Sequence, residues 1–187
     1  MIDRMLLSLA LLVPAAAAAE SYTIDNAHSF VHFTINHIGF SNLTGRFNDV
    51  TGKMDLRLDE GTGSVEVTID PASIDTAHQK RDDHLRSVDF LNVTEFPVIT
   101  FRSTAAKVDG NGGTLAGELT IKGTTRPVTL DVTRVGCGVQ PFTKNYTCGF
   151  NATTRIKRSD FNITWGLDNN VVGDEMLLSI GAEGIRD

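Results

Sequence analysis

Lys53-Met54-Asp55-Leu56-Arg57-Leu58-Asp59, then Glu60-Gly61-Thr62-Gly63, then Ser64-Val65-Glu66-Val67-Thr68-Ile69-Asp70 is the stretch that decides the fold. Met54, Leu56 and Leu58 alternate with charged residues in the first run. Val65, Val67 and Ile69 alternate with polar ones in the last. Successive side chains of a strand point to opposite faces, so each run reads as a strand with one apolar and one wet face. The glycines between them supply the positive φ that a tight turn needs, and the whole reads as an antiparallel hairpin.

The same period recurs on both sides. Upstream it gives Val31, Phe33 and Ile35. Downstream it gives Ile99 and Phe101; Leu115, Leu119 and Ile121; Val128, Leu130 and Val132; Phe150 and Ala152; and Leu178 and Ile180. Eight half-buried strands joined mostly by short turns make an antiparallel sheet. Closing it into a barrel removes its edges, whereas a two-sheet sandwich satisfies the same alternation. In a barrel Phe33, Ile35, Leu56, Val67, Phe101, Leu119, Leu130, Phe150 and Ile180 either line an elongated apolar pocket or meet as a packed core. Alternation is the same for both. A pocket so lined selects a long, flexible, apolar molecule.

One stretch breaks the alternation. Arg81-Asp82-Asp83-His84-Leu85-Arg86-Ser87-Val88-Asp89-Phe90-Leu91 packs charge and a histidine at helical spacing, within a helical insertion expected over about residues 76–91. Asp75 or Thr76 is the expected cap at its start, Leu85 packs on the sheet, and Phe90 and Leu91 pin its exit. Structural docking is the favoured reading. The alternatives are a ligand entrance and an acid–base group built from Asp82, Asp83 and His84 with Arg81 or Arg86.

The rest of the composition mostly excludes. Arg4 precedes an apolar run over residues 5–13, Pro14 breaks it, and Ala17-Ala18-Ala19 offers a cleavage site before Glu20. Residues 1–19 therefore read as a cleaved export signal, with residues 20–187 as one mature domain of periplasmic or secreted location. The apolar run is too short to span a bilayer. The net charge of −6 argues against nucleic acid and against stable membrane association. Cys137 and Cys148 lack the partners or spacing of a metal or redox site, so outside the cytoplasm they are expected to pair and clip a hairpin. Direct pairing places Val132, which points inward, opposite Thr153, which points outward. A bulge at Gly136, Gly138 or Gly149 is the simplest repair. His32 and His37 fall on opposite faces, and His28 and His32 lack a third ligand, so no metal is expected. No nucleophile motif is present.

The order of motifs resembles the YceI-like family of bacterial secreted polyisoprenoid-binding proteins across essentially the whole mature chain. It runs through Tyr22-Thr23-Ile24-Asp25-Asn26-Ala27-His28-Ser29, Phe33-Thr34-Ile35-Asn36-His37-Ile38-Gly39 and Gly45-Arg46-Phe47. It continues through the block from Arg81 to Ser87, Asp89-Phe90 and Phe96-Pro97-Val98-Ile99-Thr100-Phe101, then Gly117-Glu118-Leu119-Thr120-Ile121-Lys122-Gly123. Arg158-Ser159-Asp160-Phe161 and Val172-Gly173-Asp174-Glu175 complete it. The resemblance implies an eight-stranded, lipocalin-like extended β-barrel holding a polyprenyl chain or isoprenoid quinone, no catalytic activity, no cofactor and a possible homodimer. His37 and His84 are the polar contacts expected at its mouth. Two departures stand out: Leu91-Asn92 replaces the usual Phe-Asp, and Asn162 replaces a common glycine. A ligand of ~40 heavy atoms at ~0.3 kcal/mol each binds with roughly 12 kcal/mol, in the nanomolar range.

Overall fold

A computed structural model describes residues 19–187. The expected export signal, apart from Ala19, lies outside the described residues. Eleven strand segments and one α-helix follow in order: β1 (Glu20–Ile24), β2 (Phe30–His37), β3 (Ser41–Phe47), β4 (Val50–Arg57), β5 (Thr62–Ile69), β6 (Ile74–Asp75), α1 (Gln79–Arg86), β7 (Ile99–Asp109), β8 (Gly112–Ile121), β9 (Thr124–Val139), β10 (Tyr146–Lys157) and β11 (Val172–Arg186).

They make eight staves rather than eleven. The long β11 pairs with β2 along one part of its length and with β1 along its last residues, so β1 and β2 are two halves of one bent stave. Likewise β3 pairs with β2 while β4 pairs with β1. The short β6 continues the line of β5 against β3. The ring β1-β4-β5-β7-β8-β9-β10-β11 closes on itself through antiparallel pairs. It is an all-β, eight-staved barrel, not a sandwich. Each of the eight alternating runs in the sequence occupies a different stave. The segments without a clean alternation, β1, β3 and β6, are the ones the sequence pattern misses.

Inward phases agree with that pattern at almost every position. Val31, Phe33, Ile35, Met54, Val65, Ile69, Ile99, Phe101, Leu115, Leu119, Leu130, Val132 and Leu178 are all buried. Leu58 is the exception and is exposed in the turn after β4. Rings of two inward phenylalanines lie over glycines. A Cβ at Gly45 would sit 2.4 Å from the Phe33 ring, and one at Gly117 2.5 Å from that of Phe101. Only a bare backbone admits them so closely.

The expected bulge exists, but no glycine hosts it. Cys148 faces Cys137 and the two are bonded, while Ala152 faces Val132 with Thr133 as the extra residue. Thr133 bonds from its hydroxyl to the Asn151 carbonyl at 3.3 Å, which anchors the kink without a glycine. Classing Thr153 as outward stands; the shift brings two buried residues, Val132 and Ala152, face to face instead.

Candidate functional site

The helical block is shorter and better bonded than its sequence suggests. The α-helix covers only Gln79–Arg86, and turns follow it to Leu91. Its cap is neither Asp75 nor Thr76 but His78, whose Nδ1 accepts from the Arg81 backbone N–H at 3.2 Å. Asp75 is occupied by a tighter turn, accepting from the Ala77 N–H. Thr76 gives both its backbone N–H and its hydroxyl to the buried Asp82 carboxylate.

The reason lies in the sheet. β6 pairs only with β3, so its far edge carries unpaired backbone groups. The carbonyls of Ala72 in the 3-10 turn before β6, of Ile74 on that edge and of Thr76 just after it stand at alternate positions in the chain. Arg86 Nε and its terminal nitrogen donate to the first two at 2.8 Å each, and an Arg81 terminal nitrogen donates to the third at 2.6 Å. The two guanidiniums stand where another strand would have been. This absorbs most of the charge that made the block resemble an active site. Asp82 serves Thr76, Asp83 accepts from Gln79 and Arg86, and His84 meets Asp89 at 2.9 Å. The three groups of the catalytic alternative have three separate sets of partners.

Inside the barrel is a cavity of about 450 Å³. The interior is thus an open pocket rather than a filled core. Of the nine expected lining residues, Phe33, Ile35, Val67, Phe101, Leu119, Leu130, Phe150 and Ile180 line this cavity, and so do His37 and His84. Leu56 instead lines a second cavity of about 320 Å³ nearer the disulfide, which Phe150 also borders. Polar lining of the main cavity comes from Thr154 and residues toward its α1 end: His37, Thr76, His78, Lys80, Arg81, His84 and Arg158. No aspartate or glutamate is among its lining residues. His84 stands edge-on to Phe90 and Trp165, with ring centres 5.0 and 4.9 Å apart, and forms an aromatic lip at this mouth.

Arg158 is the residue that sequence reasoning left without a role. It is 2% exposed and donates to the carbonyls of Gly173, Ile163 and Val172 at 2.7, 2.9 and 2.8 Å. The Val172 and Gly173 carbonyls belong to an irregular stretch where the β11–β2 register shifts between Val172 and Met176, and that of Ile163 belongs to the segment after β10. Burial pushes the guanidinium below its ordinary value, and the nearby Asp174 carboxylate opposes that shift. A signal did exist: Cys148, Phe150, Ala152, Thr154, Ile156 and Arg158 are one unbroken period-two phase. Trp165 had none, because it sits in the turn-rich segment between β10 and β11.

The two departures noted in the sequence share a cause. Asn92 and Asn162 both have left-handed backbone, with φ of 48° and 58°. Asparagine is among the few non-glycine residues at home there. Asn162 also ties its side chain to Thr124 at 2.9 Å, a bond glycine cannot make. Among the described residues no group of three His, Cys, Asp or Glu is placed to hold a metal. None of the described helices is long and apolar enough to cross a membrane.

A closed antiparallel barrel with an apolar lumen and its polar groups gathered at one mouth is a lipocalin-like architecture. The chain belongs to the YceI-like domain family, which matches residues 22–183. A UPF0312 protein of Pectobacterium carotovorum is 44% identical over 92% of this chain and 88% of its own length. Among solved structures, BcnA of Burkholderia cenocepacia superposes with a TM-score of 0.76 at 30% identity, covering 86% of this chain and 98% of its own. A domain from Saccharophagus degradans, described as polyisoprenoid binding, shares the fold with a TM-score of 0.67 at 16% identity. That match covers 90% of this chain and 99% of the domain.

Proposed function

We propose that this protein is a carrier that takes one long isoprenoid lipid, a polyprenyl chain or an isoprenoid quinone, into its barrel outside the inner membrane. The observation that carries the reading is the main cavity: a largely apolar lumen with its polar donors gathered mainly toward the α1 end. Such a lumen retains a hydrocarbon chain by burying its area, while the mouth holds an oxygen-bearing head group and sets its direction. The Saccharophagus degradans domain, by its description a polyisoprenoid binder, supports the choice of lipid class. The apolar segment before Glu20 and the Cys137–Cys148 bond support a periplasmic or secreted location.

Organic extraction and mass spectrometry of the protein purified from its native host are expected to yield an isoprenoid lipid at up to one molecule per chain. Recovery of protein with no apolar ligand, and no uptake of added polyprenol, sinks the reading. Fractionation of the same cells tests the location: a cytoplasmic pool of uncleaved chain overturns it. Catalysis through Asp82, Asp83 and His84 draws no support from their arrangement, since each is turned to a different partner.

A further inference from the structure

Two cavities adjoin one another in the barrel. The larger lies toward α1; the smaller, of about 320 Å³, lies toward the Cys137–Cys148 bond. Three residues border both: Val65, Leu115 and Phe150. Val65 and Leu115 are fully buried, whereas Phe150 is only half-buried and is the one ring of the three. In register it faces Ala182 on β11 and Val135 on β9, so one of its neighbours is small. It also lies two pairs from the Thr133 bulge, where the ladder between β9 and β10 is interrupted. A side chain in that position can turn between staggered rotamers without moving the strands.

The smaller space shares the chemistry of the larger. Met54, Leu56, Val108, Val132 and Val135 make its walls, and the disulfide lies at its far end. Its charged lining residues, Arg57 and Asp109, adjoin the hairpin turns at that end. An apolar chamber that shares three lining residues with a larger apolar cavity has one fitting occupant, the remainder of the same hydrocarbon chain.

We propose that the smaller chamber is the subsite for the tail end of a long-chain ligand, and that Phe150, backed by Val65 and Leu115, is the gate that sets which chain lengths gain from it. This rests on the carrier reading above. A short chain ends at the gate and fills only the larger chamber. A longer one turns the Phe150 ring aside and buries its last units beyond it. Chain length is thereby selected at the end of the barrel opposite the head group.

The test is binding of a series of linear polyprenols, from short to long, to the mature protein and to variants on two different staves. In the wild type, affinity is expected to rise by roughly tenfold or more for each isoprene unit buried beyond the gate. Leu56→Trp fills the smaller chamber without touching the larger, and Phe150→Trp blocks the gate. Leu56→Trp is expected to lower affinity for long prenols by at least about tenfold while short prenols bind as before. Phe150 also lines the larger chamber, so Phe150→Trp is expected to lower long-prenol affinity by at least about tenfold more than short-prenol affinity. Retained short-prenol binding also shows that the Leu56→Trp variant folds. Phe150→Ala is expected to keep long-prenol affinity and speed its onset. An unchanged long-to-short ratio in both tryptophan variants overturns the gate and leaves the carrier reading standing. A wild-type protein that binds no prenol of any length overturns the carrier reading and the gate with it.

Discussion

The two ends of this barrel are closed by different means. At one end short hairpins meet and Cys137–Cys148 locks β9 to β10, so backbone pairs with backbone up to the turns. At the other, the staves run out of partners before the wall is complete. There arginine does the work of missing strands: Arg86 and Arg81 along β6, and Arg158 along the irregular start of β11. The contrast explains why the polar lining gathers at one mouth. Unpaired carbonyls call for cationic donors, and Arg81 and Arg158 among them also line the main cavity, whose lining holds no aspartate or glutamate.

Unequal closure implies unequal sensitivity, and substitutions can break that claim. The largest effect is expected at the α1 end. Arg158→Met leaves buried carbonyls without donors and is expected to lower unfolding stability by about 4 kcal/mol in denaturant titration. Next comes the opposite end. The paired change Cys137→Ser and Cys148→Ser is expected to cost about 2–3 kcal/mol, because the bond closes a short loop. If the disulfide variant proves the less stable of the two, the ranking of the ends is reversed.

Asp82→Ala orphans two donors of Thr76 and is expected to cost about 2 kcal/mol, with hydrogen exchange speeding first in residues 72–91. Exchange spreading evenly over the barrel would mean that α1 is no separate closure.

The smallest effect belongs to neither end. On the outer surface His28 bonds Asp25 at 2.8 Å, which raises the imidazole value and lowers the carboxyl value. A raised imidazole stabilises below its unfolded value and loses that contribution as pH rises through the folded one. A lowered carboxyl stabilises above its unfolded value and loses that contribution as pH falls through the folded one. The pair therefore contributes only between the two, and His28→Gln should lower the denaturation midpoint slightly in mildly acidic buffer and leave it unchanged in alkaline buffer. A constant gap at every pH would show that the ion pair contributes nothing.

The same contrast governs what the sequence reveals. Period-two alternation reports which face a side chain takes, so the staves, their inward residues and eight of the nine expected cavity residues are legible directly. Leu56 is on the right face, but alternation carries no coordinate along the barrel axis, and the residue falls in the other chamber. The α1 block is legible as an insertion and not as an edge cap, because β6 is only two residues long and has no periodicity to display. Its caps mislead for a related reason. Asp75, Thr76 and His78 can all cap a helix, and which one does depends on the bonds that Asp82 and Arg81 make across the turn. Thr133 shows the limit in miniature: the cysteines demand an extra residue nearby, and glycine is only the commonest host.

One feature bears on how the lumen is filled. β1, the first described strand, is held on one side by the last residues of β11, from Gly184 to Arg186. Pairing between the two ends of a chain is the slowest kind to form, since the longest loop must close first. Until β11 arrives the barrel is a curled sheet, open lengthwise along the flank of β10. A lipid present at that moment can be wrapped from the side along its whole length. On the carrier reading proposed above, one that comes later threads in head-last through the α1 mouth. On that reading the content of the finished barrel depends on what the chain met before β1 and β11 paired.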